Sequence, residues 1–168
     1  MHPELSAERL RELLSYDADT GVFTWAARRG NVPAGKRAGT RDSDGYTQIS
    51  IEGRLYKAHR LAWLYVHGEW PFGEVDHING ARDENQIGNL RVATSAENKQ
   101  NQRRAHSRNK SSGLLGVNWS KDAKRWRASI CVNKKQRHIG LFDTAEAAHN
   151  AYLAAKAELH PFAPKLAA

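Results

Sequence analysis

Hydrophobic positions in this chain recur at helical spacing in some stretches and in alternation in others, and the changes of period mark out its elements. Leu10, Leu13 and Leu14 fall on one face of a helix that Ser6 can cap and that should run to about Leu14. Leu5 before the cap and Leu10 inside the helix are placed to form a hydrophobic staple. Asp19-Thr20-Gly21 reads as a turn, Val22 to Trp25 as a strand, and residues 28–44, rich in Gly, Arg and Asp, as an exposed loop. Alternation from Tyr46 to Ile51, a turn at Glu52-Gly53 and a return over Arg54 to Ala58 predict a hairpin. His59 to Val66 is apolar at helical spacing and reads as a core helix ended by His67-Gly68 and Pro71. An apolar entry strand then leads into Glu74-Val75-Asp76-His77-Ile78-Asn79-Gly80, and Leu90 to Val92 forms a second strand. Thr94 and Glu97 have the spacing of a capping box, which starts a helix near Ser95 and places Asn98 in its first turn or just past it.

Further on, Gly116 to Ser120, Arg125 to Asn133 and Gln136 to Leu141 read as three strands, with turns at Lys121 to Lys124 and Asn133 to Lys135. A closing helix is expected with Asp143 as N-cap, Glu146 three residues on, and Ala147, Ala148, Ala151, Tyr152 and Ala155 as a small-residue face against that sheet. On the middle strand, Trp126, Ala128, Ile130 and Val132 share the covered face, and Arg127, Ser129 and Cys131 the open one. Trp119 fits either face. The pattern as a whole is α+β.

Composition narrows the classes. A length of 168 residues suits one ordinary domain or two small ones. The single cysteine, Cys131, allows neither an intrachain disulfide nor a Cys-rich zinc site, and points to a reducing compartment. No apolar run approaches the length of a membrane span, and the N-terminus lacks the basic start and apolar core of a signal peptide; the expectation is a chain that is neither membrane-bound nor secreted. The net charge of +8 is unevenly placed: residues 99–168 carry 14 Lys and Arg against 4 Asp and Glu, leaving 12 against 14 in residues 1–98. A basic half of this kind calls for a polyanion, with nucleic acid the default partner and a solvated basic surface the alternative.

The chemistry concentrates in the β-β-α stretch. Asp76 and His77 at a strand end face the helix start that carries Asn98. A carboxylate and an amide oxygen converging on one point suit a divalent cation that keeps several waters, and a histidine beside it can take a proton from water near neutral pH. Asn89 is placed to tie the intervening loop by side-chain hydrogen bonds to backbone, whereas Asp83, Glu84 and Asn85 read as turn and surface residues. The order His59-Arg60-Leu61, Val75-Asp76-His77-Ile78-Asn79-Gly80, Asn89-Leu90-Arg91, Glu97-Asn98 resembles the HNH (ββα-metal) nuclease family, in its phage and homing endonuclease branch, over roughly residues 45–104. The resemblance implies His77 as general base, one Mg²⁺, Mn²⁺ or other divalent ion on Asp76 and Asn98, and ends with 5′-phosphate and 3′-hydroxyl. It also places a histidine at His59, either to brace the site through a buried hydrogen bond or to act in catalysis.

Lys99 to Gly113 holds five basic residues and no acidic one, and Arg103, Arg104, Arg108 and Lys110 either follow a phosphate backbone or stay solvated. The loop cations Arg28, Arg29, Lys36, Arg37 and Arg41 leave the same two options open. Gly116-Val117, Trp126-Arg127-Ala128-Ser129-Ile130, Ile139 to Ala148 and Ala151-Tyr152 resemble the APETALA-type (ethylene-response-factor) DNA-binding domain over residues 113–160. That likeness makes Asn118, Ser120, Arg127, Ser129, Gln136 and His138 a sheet face for the major groove, with Lys134 and Lys135 beside it as phosphate contacts. Base preference does not transfer, because arginines and a tryptophan of the plant domains are replaced by Asn118, Ser120, Cys131 and His138.

The expected organisation is an HNH nuclease module over 1–104, a basic linker over 105–112, and over 113–168 a three-stranded antiparallel sheet packed on one helix. The expected activity is metal-dependent cleavage of double-stranded DNA in the cytoplasm of a bacterial host or phage-infected cell, by a chain expected to act as a monomer. A DNA-binding regulator with an inactive HNH module is the alternative, and an RNA-directed nuclease a third reading.

Overall fold

The first helix shows how local sequence sets the frame. α1 (Ala7–Leu13) starts where the Ser6 hydroxyl accepts a hydrogen bond from the Arg9 amide at 3.2 Å, and Leu5 and Leu10 are both buried. The helix stops one residue earlier than expected, because Leu14 turns into a strand that the sequence pattern did not announce. β1 (Leu14–Asp17) pairs antiparallel with β2 (Val22–Trp25), Leu14 opposite Trp25 and Asp17 opposite Val22. The turn between them is closed by the Asp17 carboxylate, which accepts from the Asp19 and Thr20 amides, and by Gly21 at φ +72°.

The computed structural model describes residues 4–163 except 103, 104, 106–108 and 110, so the expected DNA contacts Arg103, Arg104, Arg108 and Lys110 lie outside the described residues. The chain divides into two units, Met1–Ser95 and Ala96–Ala168. In the first, the stretch read as a loop over 28–44 contains β3 (Thr40–Arg41), the edge of a three-stranded antiparallel sheet with β4 (Thr47–Ile51) and β5 (Arg54–Lys57). α2 (Ala58–His67) follows directly and ends on Gly68 at φ +81°, whose amide bonds to the Leu64 carbonyl. Leu10, Leu14, Ile49, Ile51, Leu61 and Leu64 are fully buried where α1, the first hairpin, this sheet and α2 meet. Each such side chain contributes about 1.5–3 kcal/mol by leaving water. β6 (Glu74–His77) and β7 (Leu90–Ala93) form a separate two-stranded ribbon, and α3 (Ser95–Gln100) begins two residues after it.

In the second unit, β9 (Arg125–Val132) lies between β8 (Val117–Ser120) and β10 (Lys135–Phe142), all antiparallel, with α4 (Ala145–Leu159) behind. Asn133 and Lys134 both have positive φ, as a two-residue turn between twisted strands requires. The covered face is Val117, Ala128 and Ile130 with Ala148 and Tyr152 of α4, and Gly116 lets the Tyr152 ring sit against its backbone. Two helix expectations need correction. Thr144, not Asp143, caps α4, its hydroxyl accepting from the Ala147 amide at 3.1 Å; Asp143 is exposed and accepts from Arg125. Ala147 is exposed, because the buried line runs through Ala148, Tyr152 and Lys156. The lysine is tolerated there because its ammonium donates to the Gln102 carbonyl. Trp119 lies on the helix side, edge-on to Trp126 with ring centroids 5.1 Å apart.

Candidate active site

β6 and β7 pair so that Asp76 stands opposite Arg91 and His77 opposite Leu90. The ribbon is held at its entry by Arg60, which donates to the Gly73 carbonyl at 3.2 Å, and by the close approach of Gly73 to the Ala93 carbonyl. Asp76, His77 and Val75 are all buried, which is unusual for a carboxylate and an imidazole side by side and requires partners. Asp76 has one: Oδ2 accepts from both Nε (3.1 Å) and Nη2 (2.9 Å) of Arg91, a two-pronged pair across the strands.

His77 faces a different set. Its Nε2 lies 3.2 Å from Oδ1 of Asn85. Its ring is 5.0 Å from that of His59, edge-on, and 6.0 Å from Tyr46. Burial holds the His77 pKa below the ordinary imidazole value, with the Asn85 bond and the Asp76 carboxylate opposing that shift. The imidazole is therefore neutral near pH 7, the state a proton acceptor requires.

The loop from Ile78 to Asn89 is tied across its base. Asn89 accepts the Asn79 amide at Oδ1 (3.1 Å) and donates through Nδ2 to the Glu84 carbonyl (2.8 Å) and the Asn79 side chain (3.0 Å). These bonds fix the loop's shape. The loop's far side is tied to the β3–β4 turn: Arg41 pairs with Asp83 at 2.5 Å, and Arg82 donates to the Asp44 carbonyl at 2.8 Å with its guanidinium over the Tyr46 ring.

His59 sits at the start of α2, buried, between Tyr46 and His77. The buried hydrogen bond expected of it is not found at Nδ1, which has no partner among the described residues. Burial first, and then repulsion from the protonated form of His77 and from the Arg60 and Lys57 cations, push its pKa down to about 3. It serves as a neutral ring packed against His77.

Asn85 is the residue that sequence reasoning misplaced. It is buried rather than a surface turn residue, and it is the partner of His77. Tyr46 and Arg91 were also passed over. Asn98 is half-buried on α3 and belongs to the second unit.

The open sheet face collects Asn118, Arg127, Ser129, Gln136, His138 and Leu141 around a shallow depression of about 470 Å³. Leu141 joins this face because the extra residue Ile139 shifts the β9–β10 register between His138 and Gly140. Ser120 is buried instead, its hydroxyl accepting from Arg127 at 3.1 Å and from the Ala123 amide, so it braces Arg127 rather than presenting itself to a ligand. Lys134 and Lys135 are exposed at the hairpin turn. Among the described residues no three His, Cys, Asp or Glu side chains cluster as a metal site would, and no helix is long and apolar enough to cross a membrane.

The model of the HNH endonuclease family matches residues 56–100, the segment that carries His59, Asp76, His77, Asn85, Asn89 and Asn98. Protein 3.8 of Escherichia phage T7 is 34% identical over 97 residues, an alignment that spans 55% of this chain and 78% of that protein. No solved structure matches the chain. Likeness of that extent to the phage protein, together with the family match over the ribbon and its flanking helices, shows that the chain belongs to the HNH endonuclease family, with its HNH domain at residues 56–100.

Proposed function

We propose that the chain is a metal-dependent endonuclease that hydrolyses phosphodiester bonds of duplex DNA, with His77 as the general base. The observation that carries this reading is the buried, neutral imidazole of His77, hydrogen-bonded to Asn85 and next in sequence to the Asp76 carboxylate, inside the segment matched by the nuclease family. The histidine takes the proton from the attacking water. Asp76 and Asn98 are the residues proposed to hold one divalent ion. The donor set fits Mg²⁺ or Mn²⁺, since one carboxylate and one amide oxygen are hard ligands. When bound, such an ion supplies neutralisation of charge on the scissile phosphate. Arg91 holds Oδ2 of Asp76 and so fixes the carboxylate plane.

Duplex binding is assigned to the second unit, in which Arg127, Gln136 and His138 are exposed on one sheet face beside Lys134 and Lys135. This is the surface that resembles the APETALA-type domain, and its breadth and polarity suit the major groove. Supercoiled plasmid incubated with Mg²⁺ or Mn²⁺ should be relaxed to the nicked form, and a chelator should stop the reaction. His77→Ala should abolish cleavage while duplex binding persists; cleavage that survives this change would overturn the assignment. Binding without any cleavage by the unaltered chain would instead favour a DNA-binding regulator.

A further inference from the structure

A histidine that acts as a base must present the correct nitrogen, and the neutral ring has two forms. The surroundings of His77 decide between them. The Asn85 side chain can be oriented from its own bonds: its amide group donates to the Asp83 carbonyl at 3.0 Å, an arrangement that the oxygen cannot replace because two acceptors would face each other. Oδ1 therefore points to His77 Nε2 at 3.2 Å, and an amide oxygen only accepts. The proton sits on Nε2, and Nδ1 is the unprotonated nitrogen.

Asn85 is held from behind by residues that lie well outside the matched family segment. The Tyr16 hydroxyl donates to the Asn85 carbonyl at 2.6 Å, and the Ile87 amide donates to the Ala18 carbonyl at 3.2 Å. Gly21 presses its bare Cα against the Asn85–Gln86 peptide, where any Cβ would overlap the backbone. The β1–β2 hairpin thus clamps the stretch that carries Asn85. We propose that Asn85 is a positioning residue that holds His77 in its Nε2–H form with Nδ1 as the proton acceptor, and that the hairpin of residues 14–25 is part of the catalytic apparatus as the brace of Asn85. The inference rests on the reading of His77 as the base.

The test is long-range ¹⁵N–¹H NMR of the His77 ring in the full chain, joined to single-turnover plasmid cleavage and duplex affinity. The unaltered protein should show the Nε2–H pattern. Asn85→Leu should lose that preference and lower the cleavage rate by roughly 10–100-fold, in the range of residues that orient a site's imidazoles, with duplex affinity unchanged. Asn85→Asp restores an oxygen acceptor at the same reach and should recover the Nε2–H pattern. Tyr16→Phe, which removes one hydroxyl and leaves the fold, should weaken the preference in the same direction. An Nδ1–H pattern in the unaltered protein, or an Nε2–H pattern and full rate in Asn85→Leu, overturns the proposal. Should Asn85→Leu not fold, a Tyr16→Phe protein with unchanged spectrum and rate overturns the role of the brace. An Nε2–H spectrum in a chain that cuts no DNA confirms the positioning and separately removes the nuclease reading.

Discussion

Gly21→Ala is the sharpest perturbation of the clamp, because two separate costs fall on one position. The first is conformational: φ is +72°, where a Cβ costs about 1–2 kcal/mol. The second is collision. The added Cβ would overlap Asn85 C and Gln86 N and would lie 2.9 Å from Asn85 Cα. Ordinary carbon contacts begin at about 3.5–4.0 Å, so the Asn85 Cα alone must retreat by roughly 0.6–1.1 Å, and the two overlapped atoms by more. The neighbouring atoms are backbone, and no side-chain rotation relieves them. Overpacking of this kind adds about 1–3 kcal/mol. A retreat of that size also stretches the 3.2 Å contact from Asn85 to His77 beyond hydrogen-bond range.

Gly35 supplies the control within the same unit. Its φ is +78°, yet a Cβ there meets nothing within 4 Å. Gly35→Ala should therefore cost only the first term, about 1–2 kcal/mol by urea denaturation, and leave cleavage intact. Gly21→Ala should cost about 2–5 kcal/mol and slow single-turnover cleavage by up to about 100-fold, the usual consequence of moving a catalytic group by 1 Å. If the two variants prove equal in both stability and rate, the clamp transmits nothing to His77 and the reasoning fails.

Stability should fall with acid in a way that reports His59. Its folded pKa of about 3 lies below the ordinary 6.5, so the unfolded chain binds the extra proton. The contribution is complete above pH 6.5 and is lost as pH falls from there toward 3, at up to about 1.4 kcal/mol per pH unit. His77, shifted in the same direction, adds to the slope. Urea midpoints measured across this window should be flatter in His59→Phe, and identical slopes would remove the buried neutral histidine from the account. In the second unit, Gly116→Ala places a Cβ inside the Tyr152 ring at φ +77° and should destabilise by about 2–5 kcal/mol, read from amide exchange of the β8–β9 strands; a loss below about 1 kcal/mol would refute that packing. Arg127→Ser should weaken duplex binding and lower the slope of log affinity against log salt by about 1, whereas an unchanged slope would take Arg127 out of phosphate contact.

Elements with a single clear period were legible in the sequence: α2 by its 3.6-residue spacing, β9 by alternation, and the ribbon because Asn79-Gly80 and Thr94 punctuate it. β1 was not, since Leu13-Leu14 continues the helical face of Leu10 and the change of period falls inside two adjacent leucines. The cap of α4 was misread because Asp143 and Thr144 are both competent caps, and the choice follows from Arg125, a residue on another strand that engages the aspartate. The site divides the same way. Asp76, His77 and Asn89 are carried by local motifs. Asn85 is not, because Asp83-Glu84-Asn85 has the composition of any polar turn; its burial is imposed by Tyr16, 69 positions away. Ser120 alternates correctly for the open face, but its hydroxyl is taken up by the Arg127 guanidinium and by the Ala123 amide of the following turn.

The uneven charge of the chain has a structural counterpart in the first unit. The cations nearest the His77 loop are already engaged: Lys57 with Asp42, Arg41 with Asp83, Arg91 with Asp76, and Arg82 with the Asp44 carbonyl and the Tyr46 ring. Lys57 is also what holds the Asp42 carboxyl far below the usual carboxylate range. A guanidinium committed to a carboxylate offers a phosphate little net charge, and counterion release, the main source of affinity for a duplex, scales with the charges that remain uncommitted. These pairs instead fix the loop and the β3–β4 turn around one imidazole, where geometry counts for more than affinity. On the proposed reading, holding DNA therefore has to fall to cations elsewhere, and residues 99–168 carry the excess. Joining the two in one chain makes the second contact intramolecular, so a site built for position rather than attraction still meets its substrate at high effective concentration.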